Sequence, residues 1–221
     1  MKLVSCIFKL SLPFLFVFIT GCVTTPPFDY SSFRNHRPRS ILVLPPLNQT
    51  TDVNAPYTYL STITRPLVEC GYYVFPVAVV DAYMKENGLP SPEEMHGVAL
   101  KKIRDIIGAD AVLYVTIEEW GQKYIVIQSV TTIKAKAQLI DTASGNVIWQ
   151  GTQAVSQGSG GGGDPIVMLI AAAVTQVINK MADFTHDLSR GANHAMVYDA
   201  NVGFLAGPYL PPQKNDHCGK N

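Results

Sequence analysis

The sequence predicts an α/β (α+β) protein: a single domain with a mixed, largely antiparallel sheet packed by helices, in the order β-α-β-α-α-β-β-β-α. Three observations carry this expectation. Short Val/Ile/Leu runs alternate with stretches of helical spacing through the first half of the chain. Three longer β-branched runs follow one another between Ala111 and Gln157, separated by turn residues. A 47% share of hydrophobic residues in 221 positions is enough for one sizeable core.

The first 21 residues stand apart from that domain. They carry Lys2 and Lys9, no acidic side chain, and an apolar stretch from Leu10 to Ile19 that closes on Thr20 and Gly21, the three regions of a secretory signal peptide. The stretch is too short to span a bilayer and is interrupted by Pro13. Cys22 follows directly, and Ile19-Thr20-Gly21-Cys22 resembles the lipobox of bacterial lipoproteins. The resemblance implies that Cys22 becomes the mature N-terminus and carries a diacylglyceryl thioether and an N-acyl group. Each buried methylene contributes about 0.8 kcal/mol, so several acyl chains tether a protein permanently where one binds reversibly. Val23 occupies the position where an aspartate is the usual inner-membrane retention signal in enteric bacteria, so the expected destination is the outer membrane, on its periplasmic face or the cell surface. An ordinary signal peptide with a chance cysteine, or an uncleaved anchor, is the alternative.

Loss of Lys2 and Lys9 leaves 15 basic against 17 acidic side chains, a net charge of about −2, which gives no reason to expect a nucleic-acid partner. Residues 22–39 mix prolines, serines and four charged residues without periodicity and read as a flexible tether. The domain is expected over residues 40–190. Ser40–Pro45 is an apolar run stopped by Pro45-Pro46, the pattern of a buried strand. Tyr57, Leu60, Ile63, Leu67 and Val68 recur at helical spacing up to Gly71, with Pro66 as a kink or break. Tyr72–Val77 reads as a strand and Ala78–Glu86 as a short helix. Ser91, Pro92 and Glu94 form a capping-box start for a helix that ends at Gly108, with Met95, Ala99, Ile103, Ile106 and Ile107 as its apolar stripe.

Ala111–Glu118 alternates, with Leu113, Val115 and Ile117 on one face and Tyr114, Thr116 and Glu118 on the other. Tyr124–Asp141 and Val147–Gln157 complete an antiparallel meander, joined by the tight turn at Asp141-Thr142-Ala143-Ser144-Gly145-Asn146. The glycine-rich stretch Ser156–Asp164 reads as a hinge, and the segment from Ile166 to about Leu188 as a helix buried on several sides, against the core or a second copy of the chain. Residues 191–221 read as an irregular tail lying over the domain.

The residues offer little chemistry. Gly158–Asp164 lacks the lysine and hydroxyl of a phosphate loop, and Asp164 would repel an anion there. His36, His96, His186, His194 and His217 are scattered, no Cys-x-x-Cys occurs, and they read as solvated surface histidines rather than metal ligands. No Gly-x-Ser-x-Gly elbow is present. Glu118 and Glu119, adjacent on a strand, are expected on opposite faces and so cannot form an acid/base dyad. Tyr57, Tyr59, Trp120 and Tyr124 read as core or shielding residues before binding hot spots. No catalytic, cofactor-binding or metal-binding residue is assigned, no cofactor is expected, and the chain is not read as an enzyme. Cys70 and Cys218 would staple the tail to the end of the first helix if they paired in an oxidising compartment; two thiols that never meet are an equal alternative.

Ile41-Leu42-Val43-Leu44-Pro45-Pro46, Gly108-Ala109-Asp110-Ala111-Val112-Leu113, Asp141-Thr142-Ala143-Ser144-Gly145-Asn146-Val147-Ile148-Trp149 and Gly207-Pro208-Tyr209 stand in an order that, with the lipobox, resembles a bacterial lipoprotein family of unknown function that includes a neisserial surface-antigen candidate. The Gly-Ala-Asp-then-strand and Asp-x-x-x-Gly-x-x-x-Trp segments are also similar to the periplasmic α/β domain at the N-terminus of TolB and in curli-secretion lipoproteins. The resemblance implies a docking domain that assists a transport or secretion assembly in the envelope. It transfers no site residue beyond Cys22. The expected function is thus a lipid-anchored, non-enzymatic accessory or scaffolding subunit that binds envelope transport or secretion proteins. A homodimer through the segment from Ile166 is a further expectation. The alternatives are a surface-exposed adhesin or ligand-binding lipoprotein, and a periplasmic hydrolase.

Overall fold

Ser40–Val43 (β1) is apolar toward both sides, and in the structure, a computed structural model that describes residues 27–125, 128–158, 181–211 and 216–218, Ile41, Leu42 and Val43 are all buried. β1 lies between two parallel neighbours, Tyr73–Val74 (β3) and Ala111–Ile125 (β4). Leu47–Asn48 (β2) also pairs with β4, directly after the two-residue break that Pro45 and Pro46 make in the ladder, since neither has an N–H to donate. Gln128–Asp141 (β5) and Val147–Gly158 (β6) add antiparallel strands, giving the order β3-β1-β4-β5-β6 with β2 beside β4. The fold class and the mixed sheet are as expected from the sequence, in one domain packed by helices.

The larger core lies on the face of Leu113, Val115 and Ile117. There Ala55–Glu69 (α2) buries Tyr59, Leu60, Ile63 and Leu67, and Met181–Val197 (α6) buries Met196 and Val197. α2 runs through Pro66 to Glu69. Between α2 and α6, Thr62 Oγ1 lies 2.8 Å from Ser189 Oγ and accepts from Asn193 Nδ2 at 2.8 Å, all three residues buried. Such a network is favourable only when complete, so it fixes how the two helices register. The other face is covered by Val77–Glu86 (α3), Pro92–His96 (α4) and Leu100–Ile106 (α5), whose Val80, Met84, Met95 and Ile103 pack on Leu42, Leu44 and Val112.

Four expectations change. The helix expected from Ser91 to Gly108 is two helices. Ser91 and Glu94 do form the capping box, but α4 ends at Gly97 and the chain is extended at Ala99. Glycine and β-branched Val98 are poor helix formers, and the break lets Met95 and Ile103 both reach the core while Ile106 is left 63% exposed. The stretch expected as a tether instead starts packing at Phe28: Ser31–His36 is a helix (α1), with Phe33 buried edge-on against Phe204, 5.9 Å between rings, and Tyr30 donating to the Gly203 carbonyl at 2.7 Å. The first strand of the meander runs to Ile125 rather than Glu118. The expected domain end at residue 190 falls inside α6, and the tail beyond it belongs to the core through Phe204 and Leu205.

The tail crosses the end of α2 where two glycines meet. Gly71 has φ +88°, and a Cβ on Gly207 would stand 2.2 Å from the Gly71 carbonyl oxygen, so neither position takes a side chain without displacement. Gly207 N–H donates to Cys70 O and Tyr209 N–H to Gly71 O. Cys70 and Cys218, 148 positions apart in sequence, are joined by a disulfide beside this crossing, with Cα atoms 5.4 Å apart. The signal peptide, Cys22, most of the glycine-rich hinge and the apolar segment from Ile166 to residue 180, on which the homodimer expectation rests, lie outside the described residues.

Candidate functional site

Among the described residues, the face of the sheet opposite α2 and α6 is covered by α3–α5 over β1 and the start of β4, and beyond Tyr114 it lies open across β4, β5 and β6. In β5, Ile133, Ala135, Ala137 and Leu139 turn into the core, so Lys134, Lys136 and Gln138 turn outward, with Gln150 and Thr152 of β6 paired beside Gln138 and Lys136. These side chains, with Tyr114, Thr116 and the edge residues Phe28 and Val202, line a shallow groove of about 610 Å³. It is a polar surface with aromatic residues at two corners, suited to docking rather than to enclosing a small molecule.

A bulge shapes this face. Ile117 pairs with Ala135 and Glu119 with Lys134, so Glu118 is the extra residue of β4. Glu119 therefore sits on the face of Lys134, and Glu118 bonds Lys134 at 3.0 Å and Lys136 as well. The two glutamates share one face, contrary to the strict alternation expected from sequence, because the bulge resets the period. They still make no acid/base pair. Lys136 and then Lys134 hold the Glu118 carboxyl below its ordinary range, so it stays ionised, and Glu118 in turn raises Lys134.

The hydrolase alternative meets its best test at the Asp141–Asn146 turn. Ser144 Oγ lies 3.1 Å from His36 Nε2, and His36 Nδ1 is 2.8 Å from the Ser32 carbonyl. A carbonyl only accepts, so Nδ1 carries a proton and Nε2 is free to act as a base. However, Ser144 Oγ is 2.7 Å from Asp141 Oδ1, and a hydroxyl proton goes to an ionised carboxylate in preference to an imidazole. Asp141 also accepts from the backbone of Ala143 and Ser144, which marks the group as a turn lock. A second cleft, about 330 Å³ between α1 and the tail, has no serine, cysteine or histidine among the described residues that line it.

His36, His96 and His217 are less solvated than expected, whereas His186 and His194 are exposed, as expected. His96 is half-buried with Nε2 2.9 Å from the Pro45 carbonyl, and burial lowers its pKa. His217 packs edge-on to Tyr30, and His194 stacks on Tyr198. Among the described residues no cluster of His, Cys, Asp and Glu is placed to hold a metal ion, and no helix is long and apolar enough to cross a membrane. Tyr59 is buried in the core, Trp120 packs partly against it, and Tyr57 is exposed, its hydroxyl accepting from Lys85. Lys134 and Lys136 were not singled out by sequence, yet the alternation Lys134-Ala135-Lys136-Ala137 carries the signal: two cations on the face away from two small core residues.

Comparison with known proteins agrees with this architecture. The model of the family described as "Putative lipoprotein GNA1162-like" matches residues 28–209. The "Putative lipoprotein NMB1124/NMB1162" of Neisseria meningitidis serogroup B is 41% identical over 186 residues, 83% of this chain and 86% of that one. The crystal structure of lipoprotein GNA1162 from Neisseria meningitidis superposes with a TM-score of 0.55 at 43% identity, over 65% of this chain and 100% of that one.

Proposed function

Because this chain belongs to the GNA1162-like lipoprotein family, we propose that it is a lipid-anchored outer-membrane protein and a non-enzymatic accessory or scaffolding subunit of an envelope transport or secretion system. Cys22 carries the lipid in this reading. The observation that carries the docking role is the open β4–β6 face, where helices cover one side of the meander and leave Lys136, Gln138, Gln150 and Thr152 exposed on the other. The mechanism is positional: the lipid holds the domain at one leaflet and the open face recruits a partner.

The tether in this mechanism is short. Phe28 packs against the core, and the six peptide units from Cys22 to Phe28 span at most about 20 Å, so the domain works close to the bilayer. Crosslinked pulldown from membranes tests the proposal. Envelope transport or secretion components are expected to be enriched with Cys22 intact and lost in Cys22→Ser; equal recovery from both, or no such component, would remove the proposal's support.

A further inference from the structure

Three arginines gather at one end of the sheet, from segments remote in sequence. Arg37 and Arg39 flank Pro38 on the approach to β1, and Arg104 lies in the last turn of α5, on the approach to β4. β1 and β4 run parallel and start side by side, with Ile41 opposite Ala111, so both approaches open on the same end. Together with His36 the three arginines line a concavity of about 510 Å³, and all three are exposed. Arg37 donates to the Arg34 carbonyl. Among the described residues no carboxylate pairs with Arg37, Arg39 or Arg104.

Two carboxylates share the concavity, and both are occupied by the fold. Asp110 Oδ2 accepts from the backbone N–H of Arg39 and Ser40, at 2.9 and 3.1 Å, and Asp141 Oδ1 accepts from the turn it closes. The neighbouring Lys101 and Asp105 of α5 neutralise each other. Both aspartates keep their charge but are the less exposed groups, so the concavity sets three guanidinium groups against two carboxylates with the guanidinium groups on the solvent side. Around them the same end of the sheet exposes large apolar side chains: Tyr73 at the start of β3 is 50% exposed, Ile106 63% and Val147, at the start of β6, 43%. Cations ringed by exposed aromatic and aliphatic groups match a bilayer interface, where phosphates meet the first methylenes.

We infer that this end of the sheet docks on the anionic phospholipid surface of the membrane, with Arg37, Arg39 and Arg104 on lipid phosphates and Tyr73, Ile106 and Val147 at the headgroup level. The inference deepens the lipid-anchor reading and rests on it for its geometry. α1 is about 9 Å long and ends at the arginines, and the span from Cys22 to Phe28 is at most about 20 Å, so the anchor and the basic end reach the same leaflet. Such an orientation stands the sheet on the membrane and leaves the β4–β6 face sideways, open to a partner in the envelope.

The test is co-sedimentation of the mature chain, residues 22–221 without lipid, which keeps every residue of the described core. It should bind vesicles containing phosphatidylglycerol, release them as salt is raised, and bind phosphatidylcholine vesicles far less. Arg39→Gln with Arg104→Gln should weaken binding about tenfold or more, whereas Lys134→Gln with Lys136→Gln, an equal loss of charge on the open face, should change it less than about twofold. Equal weakening by the two pairs would overturn the inference. So would binding of dissolved glycerol phosphate in equilibrium dialysis without preference for anionic vesicles, which would mark a small-anion site. Mass spectrometry of Cys22 in the protein from membranes separates the two readings: an unmodified Cys22 sinks the anchor while the vesicle result stands by itself.

Discussion

The two faces of the meander differ in what holds them. One lies under α2 and α6, where Trp149, Ile63, Leu67 and Leu139 are buried and the Trp149 indole donates to the Val202 carbonyl at 2.7 Å. The other carries threonines, glutamines and the Glu118–Lys134–Lys136 group under open solvent. Exposed ion pairs contribute little to stability. The covered face therefore maintains the fold, and the open face is free to be shaped by recognition. Substitutions should separate the same way, with stability lost on one face and partner binding on the other.

The largest loss belongs to the covered face. Trp149→Ala should cost about 3–5 kcal/mol, read from the midpoint of urea unfolding, because it empties the space against Phe204 and strands the Val202 carbonyl. Next, removing the Cys70–Cys218 bridge by Ser substitution at both positions should cost about 2–4 kcal/mol, as a long loop closure is lost and Phe204 and Leu205 are held less firmly. Equal thermal stability of the oxidised and reduced proteins would contradict this. Ser91→Ala, which breaks the capping box of α4, should lower stability by about 1 kcal/mol.

The smallest effect is expected on the open face. Lys134→Gln with Lys136→Gln should leave the unfolding midpoint at neutral pH unchanged within error. Acid titration sharpens the point. Glu118 has a folded pKa below its ordinary value of 4.5, so its contribution is complete above that value and is lost as pH falls through the depressed one. Any difference between this variant and the native chain should vanish on acidification, and one that grows in acid would show the sign to be wrong.

Legibility in the sequence followed the range of the interactions. The meander and the capping box were readable because alternation, turn residues and Ser91-Pro92-Glu93-Glu94 act within a few positions. α1 was not, since Ser31–His36 has weak helical propensity and is held by Phe33 against Phe204, far away in the chain. β2 hid behind Pro45-Pro46 because only its pairing with β4 makes it a strand. The bulge at Glu118 needed the register of β5, and the basic end needed the parallel start of β1 and β4 to bring Arg39 and Arg104 together. The Cys70–Cys218 pair stayed open in sequence because two cysteines at that distance declare nothing about the crossing at Gly71 and Gly207.

Recruitment of an envelope partner by the open face, with the covered side serving the fold, can be read by site-specific photo-crosslinking in cells. A crosslinker at Gln138 is compared with one at Val68, which is 54% exposed on α2 behind the covered face. A discrete adduct with a transport or secretion component is expected from Gln138 and none from Val68. Adducts from Val68 alone, or none from Gln138, would contradict it.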